Sequence, residues 1–281
     1  MMKRTFIPYS EWLYLKIYTG IKTADIVLEE AIKPLADYFY TSNYISKWFF
    51  IRYNDPKPHL RVRFRVKDAE NYSAILLKIN QVLYDFTESG EISAVHIDTY
   101  KQEIERYGQN TIEEAESLFH KNSEFTLQCL HYEDEEKILV SLFYIDEILN
   151  KLGFSVQEKL AWIKDFNDAF KTEFKADKKL NSILDKKYRI FKPKYLEFLQ
   201  SEDFTGITNS IVSIIEESSP ELQKILFHHE NQSLEISVQN FFQSIFHMNI
   251  NRLFISDQRV FEMVIYDYLM RYYKSLIFNI L

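Results

Sequence analysis

Arg52-Tyr53-Asn54-Asp55-Pro56-Lys57-Pro58-His59-Leu60-Arg61-Val62-Arg63-Phe64-Arg65 reads as two strands joined by a proline-containing turn. Alternate side chains of a strand share a face. His59, Arg61, Arg63 and Arg65 therefore point one way, and Leu60, Val62, Phe64 and Val66 the other. The apolar set belongs against a core. The cationic set lines up guanidiniums about 7 Å apart along one face, where they repel one another unless an anion answers them. Arginine grips carboxylate and phosphate bidentately through its planar fork, so the row points to an anionic ligand. The plainer alternative is a solvated basic face, or pairing with Asp55, Asp98 or a nearby glutamate.

Outward from this hairpin, residues 12–18 alternate as a strand and Thr19-Gly20 breaks the pattern. Residues 24–38 have helical spacing at Ile26, Val27, Ala31, Leu35 and Tyr38, with Pro34 marking a kink or a division into two pieces. Residues 48–53 and 60–66 form the hairpin, 72–86 a second amphipathic helix ended by Ser89-Gly90, and 92–99 a last strand. The order strand, helix, strand, strand, helix, strand is that of a ferredoxin-like unit. Its helices belong on the face bearing Leu13, Leu15, Ile17, Leu60, Val62 and Phe64. The opposite face then carries Tyr14, Lys16, Tyr18, Arg61 and Arg63, with His96 and Asp98.

Beyond residue 108 the spacing is helical throughout, in segments 112–133, 136–152, 156–174, 179–199, 207–217, 222–228, 237–253 and 257–278. The expectation is one α+β domain: a ferredoxin-like βαββαβ sheet portion, 1–108, and a large helical portion, 109–281. The helical portion packs on the cationic face and leaves a cleft between the layers.

Composition narrows the function. The 281 residues are 46% hydrophobic and 27% charged, enough for a substantial core, and only 5 Gly and 6 Pro argue for long helices. A net charge of −7 speaks against general nucleic-acid binding, which rests on a basic surface. Cys129 is the only cysteine, which excludes an internal disulfide and a thiolate metal site. The N-terminus is too short in apolar run for a secretory signal, and no stretch approaches the ~18 apolar residues of a membrane span; the default compartment is the cytoplasm. The apolar end Leu276-Ile277-Phe278-Asn279-Ile280-Leu281 suits either a homodimer interface or completion of the core.

Several site types are absent: no P-loop, no dinucleotide glycine fingerprint, no His-Glu-x-x-His. His228-His229 is the one adjacent histidine pair, and neighbours on a helix face different ways. No metal is expected. Two further segments carry polar chemistry. In Ile97-Asp98-Thr99-Tyr100-Lys101-Gln102-Glu103-Ile104-Glu105-Arg106-Tyr107-Gly108, spacings of three and four make neighbours of Glu103, Arg106 and Tyr107. An exposed ion pair worth under about 1 kcal/mol is the plain reading. In Ser244-Ile245-Phe246-His247-Met248-Asn249-Ile250-Asn251-Arg252-Leu253, His247 and Asn251 lie one turn apart in an apolar helix. A lone histidine there is more often a satisfied core residue than a catalyst.

Taken together and in this order, these segments resemble the C-terminal domain of lantibiotic dehydratases, also described as the thiopeptide-type bacteriocin biosynthesis domain. The matching pieces are Trp48-Phe49-Phe50-Ile51-Arg52-Tyr53 with Asp55-Pro56, His59-Leu60-Arg61-Val62-Arg63, and Ile97-Asp98-Thr99-Tyr100. They continue with Glu103, Arg106-Tyr107-Gly108, Ala115-Glu116 with Phe119-His120, and His247-Met248 with Asn251-Arg252. The likeness runs from about Trp12 to the last helix.

The resemblance implies a glutamate-eliminating lyase without cofactor. A partner region esterifies Ser or Thr of a ribosomally made precursor peptide with glutamate from glutamyl-tRNA. The elimination domain then removes glutamate to leave dehydroalanine or dehydrobutyrine. The family's essential groups fall on Arg61, Arg63, Arg106 and His247, and Tyr14, Lys16, Arg52, His59, Asn251 and Arg252 are expected to contact substrate around them. On this reading Arg61 and Arg63 hold glutamyl carboxylates and Arg106 faces the developing enolate or leaving oxygen. His247 carries the proton, a histidine's ordinary pKa of about 6.5 suiting that work; exchanging the roles of Arg106 and His247 violates nothing in the sequence. Gln109 departs from a second glycine common in the family. With no long glutamylation region in the 281 residues, the expectation is a stand-alone or split elimination subunit served by a separate glutamylating subunit, with no tRNA binding of its own. Two rivals stand beside it: a thiopeptide heterocycle-forming cycloaddition enzyme, and a non-catalytic peptide-binding subunit using the same cleft.

Overall fold

A computed structural model describes residues 3–278; the apolar C-terminal end singled out above falls partly outside them. The strands are β1 (Thr5–Phe6), β2 (Trp12–Thr19), β3 (Ile45–Tyr53), β4 (His59–Val66), β5 (Ile92–Asp98) and β6 (Tyr100–Lys101). The first helical run is α1 (Thr23–Val27), a π-helical turn Leu28–Ile32, and α2 (Lys33–Thr41). Then come α3 (Tyr72–Glu88), the short α4 (Ile104–Tyr107), α5 (Ile112–Gln128), α6 (Asp134–Lys151), α7 (Val156–Glu173) and α8 (Lys178–Gln200). The last are α9 (Thr205–Glu217), α10 (Ser219–Glu230), α11 (Val238–Leu253) and α12 (Gln258–Ile277).

The predicted alternation of strands and helices is present, in an antiparallel sheet of order β3-β4-β2-β5. The first helical run is divided where Pro34 stands: α1 gives way to the π turn, and Pro34 falls in the opening turn of α2. Its missing N–H costs little where the α-helical ladder has already been interrupted. The helix expected over 112–133 stops at Gln128, and Glu133 instead begins α6, closing a capping box with Glu136. Ser155 and Glu158 do the same for α7.

Period-two alternation gives the sheet two buried faces. Leu13, Leu15, Ile17, Leu60, Val62 and Phe64 are all essentially inaccessible and pack under α1, α2 and α3. On the other face Trp12, Tyr14 and Phe49, with Tyr100 of the separate β1-β6 pair, join the core of the helical portion. The molecule is thus three layers deep, with the sheet in the middle.

What fastens the helical layer is the outer edge of β3. Every second residue there turns its backbone toward α5 and α11, and side chains of those helices answer it. The Trp48 carbonyl lies 3.0 Å from His120 Nδ1, and the Phe50 N–H donates to Ser123 Oγ at 3.2 Å. Arg252 Nε donates to the Phe50 carbonyl at 2.8 Å. Asn251 both accepts from the Arg52 N–H and donates to the Arg52 carbonyl, each at 3.0 Å, as a neighbouring strand would. An edge strand's unpaired groups are otherwise a liability.

Two stability outcomes follow. Asn251→Ala leaves a backbone N–H and C=O unpaired and lowers unfolding free energy by about 1–3 kcal/mol in urea titration; an unchanged midpoint would mean water replaces the clamp. Gly108, just after α4, has φ +73° and ψ 149°, a region open essentially to glycine alone. A Cβ there would also meet Thr111 Oγ1 at 2.9 Å. Gly108→Ala is expected to cost about 1–3 kcal/mol by the same titration.

Candidate active site

The cationic row faces the helical layer as the alternation predicts, but its members differ sharply. Arg65 pairs with Glu113 on α5 at 3.0 Å and is spent there. Arg63, 6% exposed, is sandwiched among the rings of Tyr14, Phe49 and Tyr100 at 4.5, 5.2 and 4.8 Å. Among the described residues its side chain makes no ion pair or hydrogen bond, and its Nε is buried without a partner. A desolvated cation with aromatic faces but no counter-charge is costly, and these π faces compensate only in part.

Arg61, half-buried, stacks on Tyr53 with 3.4 Å to the ring centre and donates from Nε to His59 Nε2 at 3.1 Å. That bond requires a neutral His59 with its proton on Nδ1, where it donates to the Lys57 carbonyl at 2.8 Å. Burial, reinforced by the charges of Arg61 and Lys16, holds His59 below the usual histidine range and keeps it neutral. His59 therefore orients Arg61.

Arg106 sits on α4, 55% exposed at its side chain, with Nε 3.3 Å from Glu103. The loop behind it is pinned to the approach to α11. The Gln109 backbone N–H donates to Glu235 and the Asn110 side chain to the Ser233 carbonyl; a glycine at 109 would donate the same bond. From α11, His247 meets Arg106 across an open pocket of about 430 Å³, lined also by Phe170, Ser244, Arg259 and Glu262. His247 donates from Nδ1 to Glu262 at 2.8 Å, leaving Nε2 without a protein partner among the described residues. A smaller recess beside it is lined by Arg63, Tyr100, Glu103, Tyr107 and Met248. The two recesses adjoin: Glu103 pairs with Arg106, and Met248 follows His247. Arg63, Arg106 and His247, distant in sequence, thus line neighbouring recesses, while Arg61 stands one step up the strand.

The remaining expected contact residues sit differently. Arg252 is fully buried, donating to the Phe50 and Met248 carbonyls and to Asn122. Arg52 donates to the Arg252 carbonyl at 2.8 Å and to Asp25 at 2.5 Å. Asn251 is the edge clamp described above. Lys16 pairs with Asp98, which raises its pKa. Tyr14, by contrast, is a wall of the Arg63 cage. Arg52 and His59 also line a separate cleft of about 330 Å³ with Tyr53, Asp257 and Gln258.

Below the cage, Tyr100 donates to Glu116 at 2.8 Å, as does Gln102. Glu116 has no exposed surface, and burial raises its pKa. The sequence reading passed over Glu262 and Arg259. A signal was available: Arg259, Glu262 and Tyr266 lie at spacings of three and four in an apolar helix, where an acid needs a reason. No group of three His, Cys, Asp or Glu suited to a metal is found among the described residues, nor a helix long and apolar enough to cross a membrane. The arrangement offers two kinds of chemistry: cations for a developing or departing anion, and an imidazole nitrogen open to the pocket for proton transfer.

The family model described as "Lantibiotic biosynthesis dehydratase C-term" matches residues 12–273. Subtilin biosynthesis protein SpaB of Bacillus subtilis is 30% identical over 188 residues, covering 63% of this chain and 18% of that protein. Nisin biosynthesis protein NisB of Lactococcus lactis subsp. lactis is 27% identical over 281 residues, covering 91% of this chain and 26% of NisB. The chain thus spans about a quarter or less of the length of these relatives. Among solved structures, the tRNA-dependent lantibiotic dehydratase MibB from Microbispora sp. 107891 superposes with a TM-score of 0.70 at 18% identity, covering 94% of this chain and 28% of MibB. The pyridine synthase TbtD from thiomuracin biosynthesis gives 0.59 at 11% identity, covering 94% and 99%. These likenesses show the fold. The match along nearly the whole chain shows the family: this protein belongs to the C-terminal domains of lantibiotic biosynthesis dehydratases.

Proposed function

We propose that this protein eliminates glutamate from glutamylated Ser or Thr residues of a ribosomally made precursor peptide, on what we read as a ferredoxin-like sheet. The observation that carries the reading is Arg63, a buried guanidinium without a counter-charge, beside a recess that adjoins the Arg106–His247 pocket. A site of this kind is complementary to an anion that arrives with substrate. In the reaction the Cα proton leaves, its electron pair forms the Cα=Cβ bond, and the Cβ–O bond breaks. Glutamate departs with the oxygen as a carboxylate. Arg63, with Arg61 above it, holds the carboxylate that leaves and the one that stays free. Arg106 answers the enolate-like charge or the departing oxygen, and His247 Nε2 carries the proton. Preorganised cations in a partly dry recess stabilise such developing charge best.

The contact set is narrower than the sequence suggests. Arg52, Asn251 and Arg252 hold the scaffold, and Lys16 is engaged with Asp98. Tyr14 and His59 serve by shaping Arg63 and Arg61. On the same reading the glutamylating activity is supplied by a separate region or subunit, and the protein works in the cytoplasm where charged tRNA is made.

Mass spectrometry of a glutamylated Ser/Thr peptide incubated with the protein is expected to show glutamate loss and a dehydrated residue, with Arg106→Ala leaving the ester intact. Cyclisation of a bis-dehydroalanine peptide with no action on the ester would instead establish the cycloaddition chemistry. Peptide binding without any turnover would leave only a binding subunit. Arg63→Met gives a second, independent check. Replacing an unpaired buried charge by an apolar side chain of similar length is neutral or stabilising. The melting midpoint should therefore hold or rise while elimination is lost. A variant both less stable and active would place Arg63 in the scaffold.

A further inference from the structure

We propose that Glu262 is a positioning residue for His247, fixing the imidazole proton on Nδ1 so that an unprotonated Nε2 faces Arg106; this deepens the elimination reading and rests on it. Glu262 lies on α12, fifteen residues from His247 and on a different helix, with its side chain 1% exposed. A carboxylate so buried stands only if its oxygens are satisfied, and they are. Oε2 accepts from His247 Nδ1 at 2.8 Å and from Arg259 at 3.0 Å, and Oε1 accepts from the Tyr266 hydroxyl at 3.1 Å.

Each neighbour adds a constraint. Arg259 reaches from Glu262 to Glu173 on α7, with its guanidinium 4.2 Å from the Phe170 ring centre. α7 packs against α12, so the carboxylate is held from two helices. The imidazole, by contrast, is 27% exposed at its side chain and opens on the pocket. A carboxylate behind one ring nitrogen selects the tautomer and the ring plane, and leaves the other nitrogen as the acceptor. Without Glu262 the ring would be free to place its proton on Nε2, the atom that must be vacant to receive one.

The test uses the intact protein. Nitrogen-15 shifts of the histidine rings, recorded at alkaline pH with His247→Gln to assign the signal, should show His247 protonated on Nδ1 in the wild type. The isosteric Glu262→Gln should shift it toward a mixture of tautomers, because an amide can turn either face to the ring. In elimination assays the same variant should lose about 10²-fold or more in kcat with KM little changed, while Glu262→Asp, which keeps the carboxylate, recovers part of the rate. A wild-type His247 protonated on Nε2, or a tautomer unmoved in Glu262→Gln, overturns the proposal whether or not the protein turns over substrate. Absence of elimination by the wild type strikes the functional reading instead. Loss of rate in Glu262→Gln by KM alone would show that Glu262 serves substrate binding and overturn its positioning role.

Discussion

The outer edge of β3 is the interface on which the rest of this molecule hangs. A sheet edge buried under helices must have its N–H and C=O groups answered, and here His120, Ser123, Asn251 and Arg252 answer Trp48, Phe50 and Arg52 in succession. Because these bonds alternate with the pleat, they set the height of α11 along the strand. Asn251 docked on Arg52 places His247, one turn earlier, over the pocket shared with Arg106. The same strand carries Phe49, whose ring forms one wall around Arg63. One edge contact thus couples the scaffold to both halves of the site.

The site itself goes against local stability. The structure leaves Arg63 desolvated and compensated only in part, by aromatic faces, while its row-mate Arg65 is paired. An unpaired charge in a recess of rings costs stability, a cost that a site prepared for an anionic ligand would carry. Other buried charges are answered to different degrees among the described residues: Arg252 has no carboxylate and leaves Nη2 unpartnered, and Glu116 leaves Oε2 unpartnered, while two cations are fully paired. Lys159 is held by Asp146 and Asn150, and Arg271 by Asp267 and Asp185. Arg63 differs from Arg252 in that no hydrogen bond from the described residues reaches its guanidinium and it lines a recess, which is why we propose a ligand-binding role for it.

Much of this was legible in the sequence because it depends on local periods. Two-residue alternation in the hairpin assigned both faces of β4 correctly, and the three segments that line the recesses were marked by residue type and spacing. What was not legible depends on tertiary approach. Nothing local distinguishes Asn251 and Arg252, which bind a strand's backbone, from His247 one turn away, which opens on a pocket. Arg52 likewise reads as a member of the cationic hairpin, yet a helix carbonyl and Asp25 consume its donors. Glu262 was passed over because its partner lies on a preceding helix, although its position amid apolar residues was a clue. The helix boundary near Gln128 was misplaced because Glu133 was counted as the end of one helix when its side chain caps the next.

The most direct test of the central claim, that Arg63 awaits a carboxylate brought by substrate, is a crystal structure with a non-eliminable analogue. A peptide in which glutamate is amide-linked to diaminopropionate would keep the shape of the ester while resisting cleavage. The account predicts a glutamyl carboxylate on Arg63, with the linking nitrogen and Cα between Arg106 and His247. An analogue bound with Arg63 still unpaired, or seated in the separate cleft by Tyr53 and Asp257, would contradict it.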